Sequence, residues 1–304
     1  DNLIGGYLDN VPEDAEFFQV DAIYLNQMRK MTQDSDVIIH TACTAYEGLS
    51  VFSPYLVGQN TYQISMSVFS AAAENKTPKV INFSSMARYG EQEITPFTED
   101  MIPQPQDPYG IAKLSAEKTL EVLSEVHDFK YVNLVPHNII GPKQKYDDPY
   151  RNVVSIMINR VLNGKAPIVY GDGEQVRCFS DIDDVVNPLV NSLTNKKAEG
   201  ETINVGPDED AISIKDLSLK ILNVLNSDLE PIFVDPRPQE VKFAHCSAEK
   251  SRKLLDYKTT VSLDESIEKI ANWIIQRGPK KFRYHLDVEI LNEKTPKTWK
   301  NKLI

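Results

Sequence analysis

The sequence predicts an α/β fold: a doubly wound parallel sheet with a smaller, interleaved α/β lobe. Three observations carry the prediction. Short runs dense in Val, Ile and Phe alternate with amphipathic stretches of helical period, and prolines cluster in the connections. Such runs suit strands buried on both faces, as in a parallel sheet. A strand–helix–strand order implies right-handed crossovers. No apolar run reaches the ~18–20 residues of a membrane span.

The elements follow in chain order. "DVIIHTA" (Asp36–Ala42) and "KVINFSS" (Lys79–Ser85) read as strands, with a helix over Asn60–Glu74 between them. A second helix, Tyr109–Glu125, leads to the strand "YVNLV" (Tyr131–Val135). A third, Asp183–Leu193, leads to "TINVG" (Thr202–Gly206). The rhythm then loosens. Ser213 with Asp216 starts a helix in capping-box fashion, with Leu217, Ile221 and Leu225 along one face. Ser262 with Glu265 starts another, striped by Ile267, Ile270, Ala271 and Ile274. Both stripes read as core. Prolines at 103–108 and 142–149 mark loops, and loops at the carboxyl ends of parallel strands are where such sheets bind ligands. A doubly wound dinucleotide fold opens with a strand, a glycine-rich turn and a helix. Neither GxGxxG nor GxxGxxG occurs here, and Gly5–Gly6 does not follow a strand.

Bulk properties narrow the partners. The 304 residues carry a formal charge of −11. Only the tail, from Lys280, Lys281 and Arg283 to Lys302, leans basic, and it reads as solvated surface. Nucleic acid is therefore not expected as a partner, nor is a membrane. Three cysteines, Cys43, Cys178 and Cys246, lie far apart with no zinc-like spacing, so no metal site and a reduced, cytoplasmic setting are expected.

The stretch "DPYGIAKLSAEK" (Asp107–Lys118) places Tyr109 and Lys113 one helical turn apart on one face. Free tyrosine ionises near pH 10, so a tyrosine base at neutral pH needs about 4 kcal/mol of preferential phenolate stabilisation. A neighbouring ammonium is suited to supplying much of it. Alone, the spacing arises often by chance and far more often marks a surface tyrosine beside a surface lysine. Upstream, however, "FSSMARYG" puts Ser84 and Ser85 at the end of an expected buried strand, where a catalytic hydroxyl would sit.

With these pieces the chain resembles the extended short-chain dehydrogenase/reductase family, in its NAD-dependent epimerase/dehydratase branch acting on nucleotide sugars. The resemblance spans nearly the whole chain. It rests on "DNL" (Asp1–Leu3), "VDA" (Val20–Ala22), "DVIIHTA", Asn60, "SSMARYG", "PYGIAK", "PHNIIGP" (Pro136–Pro142), "YGDGEQVRCFSDIDDVV" (Tyr170–Val186), "INVG" and "RPQEV" (Arg237–Val241), in order and at family spacing. It implies a Rossmann-like sheet and NAD as cofactor.

By that resemblance Asp1, with Asn2 after it, is the acidic residue at the end of the second strand that holds the adenosine ribose. The first strand, the glycine-rich turn and the first helix are then expected upstream of Asp1; a natural protein without them would bind the pyrophosphate poorly. Asp21 and Ala22 match positions around adenine, and Ala42 and Cys43 the cofactor cleft. Asn60 and Ser84 are further cofactor positions. The catalytic set carries over as Ser85, Tyr109 and Lys113: base tyrosine, lysine on the nicotinamide ribose lowering its pKa, and serine on the sugar O4. Arg177, Arg237 and Asn138 match diphosphate contacts, and Asn152, Ile168 and Tyr170 positions around uracil and ribose. Each arginine alone reads equally as half of a surface ion pair.

Within the family, 4,6-dehydratases carry an Asp-Glu pair just after the strand, where this chain has Met86 and Ala87. A UDP-sugar 4-epimerase is the expected activity; a decarboxylase, a 4-reductase or a non-catalytic nucleotide-binding protein on the same fold stays open. Met86 lies in the substrate pocket by the same match. Ala244 stands where a bulky tyrosine restricts 4-epimerases to plain hexoses, hinting at UDP-GlcNAc/GalNAc tolerance. Two departures stand out: Val135 in place of a frequent arginine, and Arg88 in place of a small apolar residue. The expected division is 1–148 with 178–206 for NAD, and 149–177 with 207–304 for the nucleotide sugar. A homodimer is expected from the family, through the helices near Asn60–Glu74 and Tyr109–Glu125.

Overall fold

The computed structural model describes all 304 residues. Four strands, Val37–His40, Lys79–Phe83, Lys130–Pro136 and Thr202–Val205, form one wholly parallel sheet in chain order. Side chains alternate between its faces. Val80 packs with Val68, Phe69, Ala116 and Leu120, from the helices Ile64–Glu74 and Pro108–His127. Its neighbour Ile81 packs with Val132, Val185 and Leu255, beneath the helices Ile182–Thr194 and Glu249–Leu255. Burial on both faces is the reason the last three strands read as continuous apolar runs; the first, at the sheet's edge, leaves Ile39 43% exposed. Two asparagines interrupt them. Asn82 and Asn133 sit opposite each other, and Asn82 Nδ2 donates to Asn133 Oδ1 at 2.8 Å, so neither amide is left unpaired inside the sheet.

A second core joins the helices Val153–Leu162, Ile214–Val224 and Leu263–Arg277 through Met157, Ile158, Leu217, Ile221, Ile270 and Ile274. Both expected caps form. Ser213 accepts the Asp216 N–H, and Ser262 with Glu265 makes a full capping box.

Several boundaries differ from expectation. The helix expected over Asn60–Glu74 starts earlier, as Pro54–Gly58, and passes through one π-helical turn, Gln59–Gln63, before Ile64–Glu74. Pro54 suits a first helical turn, and the Glu289 carboxylate accepts the Tyr55 and Leu56 N–H groups there at 3.1 and 2.8 Å. Residues 1–24 contain no strand. Asp1 and Asn2 turn their side chains onto the N–H groups of Leu3 and Ile4. The tail also folds back. Ile290 donates to the Phe52 carbonyl at 2.9 Å, Tyr170 meets Thr298 at 2.6 Å between hydroxyls, and Trp299 is buried among Tyr46, Leu49, Phe52 and Ile168. Replacing Trp299 by Ala is expected to destabilise the protein by roughly 3–5 kcal/mol, read as a lower urea midpoint.

His40 ends the first strand, buried, with Nε2 2.9 Å from the Ser65 hydroxyl and its ring edge-on to Phe69 at 5.4 Å. Burial, helped by the Lys113 charge, pushes its pKa down to about 3. The folded protein therefore refuses a proton that the unfolded chain takes up below about pH 6.5. The stability His40 permits is intact above that pH and is lost as pH falls toward 3. In His40→Gln, the fall in unfolding free energy between pH 6.5 and 4.5 is expected to be shallower by up to about 1.4 kcal/mol per pH unit, measured by urea titration at each pH.

Candidate active site

A cleft of about 560 Å³ opens beside the carboxyl ends of the second and third strands. Its walls come from segments distant in the chain: the turn after Phe83, the start of the helix Pro108–His127, the stretch after Pro136, and the segments around Tyr170, Arg237 and Trp299.

The sequence explains how the helix presents Tyr109. Pro108 occupies its first turn, and the N-cap Asp107 accepts the Gly110 N–H at 2.9 Å and the Ser50 hydroxyl at 3.2 Å. Tyr109 is then the second helical residue, 6% exposed. Lys113 follows one turn on, with Nζ 5.9 Å from the Tyr109 ring centre, donating to the Phe83 carbonyl at 2.6 Å. Ser85 caps the short turn Met86–Arg88, its Oγ accepting the Ala87 N–H at 3.2 Å. All three line the cleft.

Gly110 permits this arrangement. A Cβ on it would lie 2.6 Å from the Ala87 carbonyl oxygen and 3.1 Å from the Pro105 Cβ. Backbone packs on backbone, so the helix and the serine turn share one position.

Burial pushes the Tyr109 phenol well above its usual value, with the nearby Cys43 and Glu47 adding to the rise; the Ser85 hydroxyl pulls it down. The sequence-based expectation that Lys113 lowers this pKa is not met in this arrangement, because the loss of water around the phenol outweighs an ammonium already engaged by Phe83.

The expected substrate residues, Ser85, Met86, Asn138, Asn152, Ile168, Tyr170, Arg177, Arg237 and Ala244, all line this one cleft. Several are already occupied. Asn152 caps the helix Val153–Leu162, accepting the Val154 N–H at 3.2 Å and donating to the Ile139 carbonyl at 3.1 Å. Asn138 donates to the Cys178 carbonyl at 2.9 Å. Arg237 is held by the Glu240 carboxylate and stacks over the Tyr170 ring at 4.8 Å. Arg177 donates only to its neighbour's carbonyl, Val176, at 2.8 Å and makes no ion pair. A planar fork left free of carboxylate suits a phosphate.

The expected cofactor residues separate into groups. Cys43, Ser84, Tyr109 and Lys113 line the cleft, whereas Ala42 is exposed beside Cys43 outside its lining. Asn60 sits in the π-helical turn, where its carbonyl accepts the Thr44 N–H at 3.2 Å. Asp1, Asn2, Asp21 and Ala22 stand together elsewhere, with Asn2 Nδ2 donating to Asp21 Oδ2 at 2.9 Å. Ser84 is 3% exposed and its hydroxyl is bonded to the Glu117 carboxylate.

Sequence reasoning missed other cleft residues. Glu47, Asp107, Arg151, Gln175, Glu240 and Trp299 also line it. Asp107 was findable as a cap before Pro108. Glu47 lies on a four-residue helix and Trp299 in an irregular tail, where no periodicity points to them.

A parallel Rossmann-like sheet with a Ser-Tyr-Lys set at its carboxyl edge is the frame of a short-chain dehydrogenase. The chain belongs to the NAD dependent epimerase/dehydratase family, whose description matches residues 5–206. It is 28% identical to a putative UDP-glucose 4-epimerase of Methanocaldococcus jannaschii over 90% of this chain and 88% of that one. It superposes on the UDP-glucose 4-epimerase of Thermotoga maritima, solved with UDP-glucose, with a TM-score of 0.84 at 27% identity, covering 91% of this chain and 90% of the other. The UDP-N-acetylglucosamine 4-epimerase of Methanobrevibacter ruminantium, in complex with UDP-N-acetylmuramic acid, gives a TM-score of 0.84 at 29% identity with the same coverage.

NAD is the cofactor of this family. The cleft fits its nicotinamide half: Lys113 has donors beyond the one spent on Phe83, and Cys43 and Ser84 form the adjoining wall.

Gly110→Ala is expected to lower kcat by roughly tenfold or more while costing about 1–3 kcal/mol of stability, since the helix must lift off the serine turn. Steady-state kinetics beside a urea melt checks both.

Proposed function

We propose that the protein interconverts the C4 epimers of a UDP-sugar through a 4-keto intermediate. The supporting observation is that Ser85, Tyr109 and Lys113 share one cleft with Arg177 and Arg237. NAD bound there supplies a hydride acceptor that later returns the hydride. Tyr109 takes the proton of the sugar 4-hydroxyl as the C4 hydride leaves, and returns it to O4 once the 4-keto sugar has turned over to receive the hydride on its other face; Ser85 hydrogen bonds to O4, and Lys113 would hold the nicotinamide ribose and favour the phenolate. Arg177 and Arg237 answer the diphosphate charge.

One feature favours epimerisation over dehydration, and a second bears on the sugar. Met86 and Ala87 follow Ser85, so no acid or base stands where dehydration would need one. Ala244, 7% exposed, packs in one cluster with Met86 on the cleft wall. Its small side chain leaves room for a 2-acetamido group, and the substrates we infer are UDP-GlcNAc/UDP-GalNAc as well as UDP-Glc/UDP-Gal. The division of labour is that of the resemblance: 1–148 with 178–206 for NAD, and 149–177 with 207–304 for the nucleotide sugar.

A homodimer completes the reading. Ile111, Val122 and Val126 are 52%, 60% and 68% exposed on the helix Pro108–His127, at spacings that share a face.

With NAD added, full conversion of one C4 epimer to an equilibrium mixture is expected, read by NMR across a panel of UDP-, dTDP- and GDP-sugars. Tyr109→Phe should fold normally and lose at least about 100-fold in kcat; a fully active variant would refute the base. Val122→Glu should shift the sedimentation coefficient toward a monomer, and an unchanged value would remove this helix from the interface.

A further inference from the structure

Arg88 stands out in the sequence as a charge where a small apolar residue is usual, and the structure shows where the charge goes. Arg88 is 4% exposed and Glu117 0% exposed, and their Nε and Oε2 atoms are 3.0 Å apart. Glu117 lies on the helix that carries Tyr109 and Lys113, eight and four residues along from them, on the same face. Its other carboxylate oxygen bonds the hydroxyl of Ser84, the residue before Ser85. Arg88 closes the short turn that Ser85 caps, and lies 4.9 Å over the Tyr89 ring.

The helix thus grips the serine turn at successive heights: Gly110 against Ala87, Lys113 on the Phe83 carbonyl, and Glu117 on both Ser84 and Arg88. We propose that Glu117, neutralised by Arg88, is a positioning residue that sets Ser85 against Tyr109 and Lys113. It touches no reacting atom; it acts through Ser84 and the turn. The pair is in ionic contact without an aligned hydrogen bond, since Arg88 Nε and Nη1 and Glu117 Oε2 are buried with no hydrogen-bond partner. Removing either charge leaves the other alone in the interior, whereas removing both leaves no unpaired ion. Glu99 feels the Arg88 charge but is not in ionic contact with it, and it accepts the Asn204 N–H at 2.8 Å.

The test is a cycle of Glu117→Gln, Arg88→Met and the double variant. Glutamine keeps an oxygen for Ser84, and methionine keeps most of the arginine stem. Hydrogen exchange by mass spectrometry is expected to accelerate about tenfold in either single variant, confined to 84–89 and 108–117, and to return to within about threefold of wild type in the double variant. With a UDP-sugar and NAD, kcat should fall about 10- to 100-fold in each single variant while KM stays within about threefold, and the double variant should recover. Wild-type exchange in a single variant, acceleration spread over the whole chain, or a kcat loss that the second substitution does not relieve would each overturn the proposal. Where Glu117→Gln does not fold, Arg88→Met against the double variant decides the same point. The kinetic arm rests on the epimerase reading and the exchange arm does not, so a wild-type protein that converts no sugar nucleotide refutes that reading alone.

Discussion

The contact on which the rest depends is that between the start of the helix Pro108–His127 and the turn that leaves the second strand. It brings backbone to backbone at Gly110 and Ala87. Every group with a proposed chemical role is measured from it. Tyr109 is in place because Asp107 and Pro108 begin the helix where they do, and Ser85 because the strand must end at Phe83 to free a carbonyl for Lys113. An ammonium that is 2% exposed is expensive without a partner, so the Phe83 carbonyl is part of the reason the helix sits where it does.

Charge in the cleft is arranged with unequal readiness. Arg237 has a carboxylate and an aromatic face already committed to it, which fixes its orientation and means that any incoming anion must compete with Glu240. Arg177 has only a carbonyl for company; burial disfavours its charge, and Glu47 and Glu240 offset that. An anion entering the cleft therefore gains more from Arg177, while Arg237 supplies geometry. Tyr109 is in the complementary condition. Its surroundings oppose the phenolate until something draws Lys113 toward it or brings in water or a hydroxyl.

Much of this was readable in the amino-acid order, for identifiable reasons. The four strands were legible because each is a short run dense in apolar residues, and three of them are covered on both faces. The caps at Ser213 and Ser262 were legible because capping is local chemistry. That Ser85, Tyr109 and Lys113 would meet in one cleft was legible because serine at a strand end and tyrosine four residues before lysine are defined by short spacings. What failed to show was set by distant contacts. The earlier start of the helix before Asn60 depends on Glu289, more than 200 residues away, capping Tyr55 and Leu56. The partner of Arg88 could not be named from "SSMARYG", since Glu117 meets it only once the helix packs on the turn. The roles of Asn152 and Asn138 as internal donors depend on carbonyls that only the fold places.

The tail shows the same limit and adds a constraint on the cleft. The family's match ends at residue 206, yet Trp299 and Ile304 line the site. Residues 287–290 bond to Ser53, Phe52, Tyr55 and Leu56, beside the first sheet's helices, whereas Thr298 bonds to Tyr170 and Lys297 pairs with Asp235 at 2.9 Å, beside the strands of the second lobe. One short segment is therefore fastened to both walls of the cleft. The exposed Lys297–Asp235 pair contributes little to that fastening. The buried Trp299 ring contributes most, so the separation of the two walls is set mainly by packing, with the exposed Glu289 cap a smaller, salt-screened contribution.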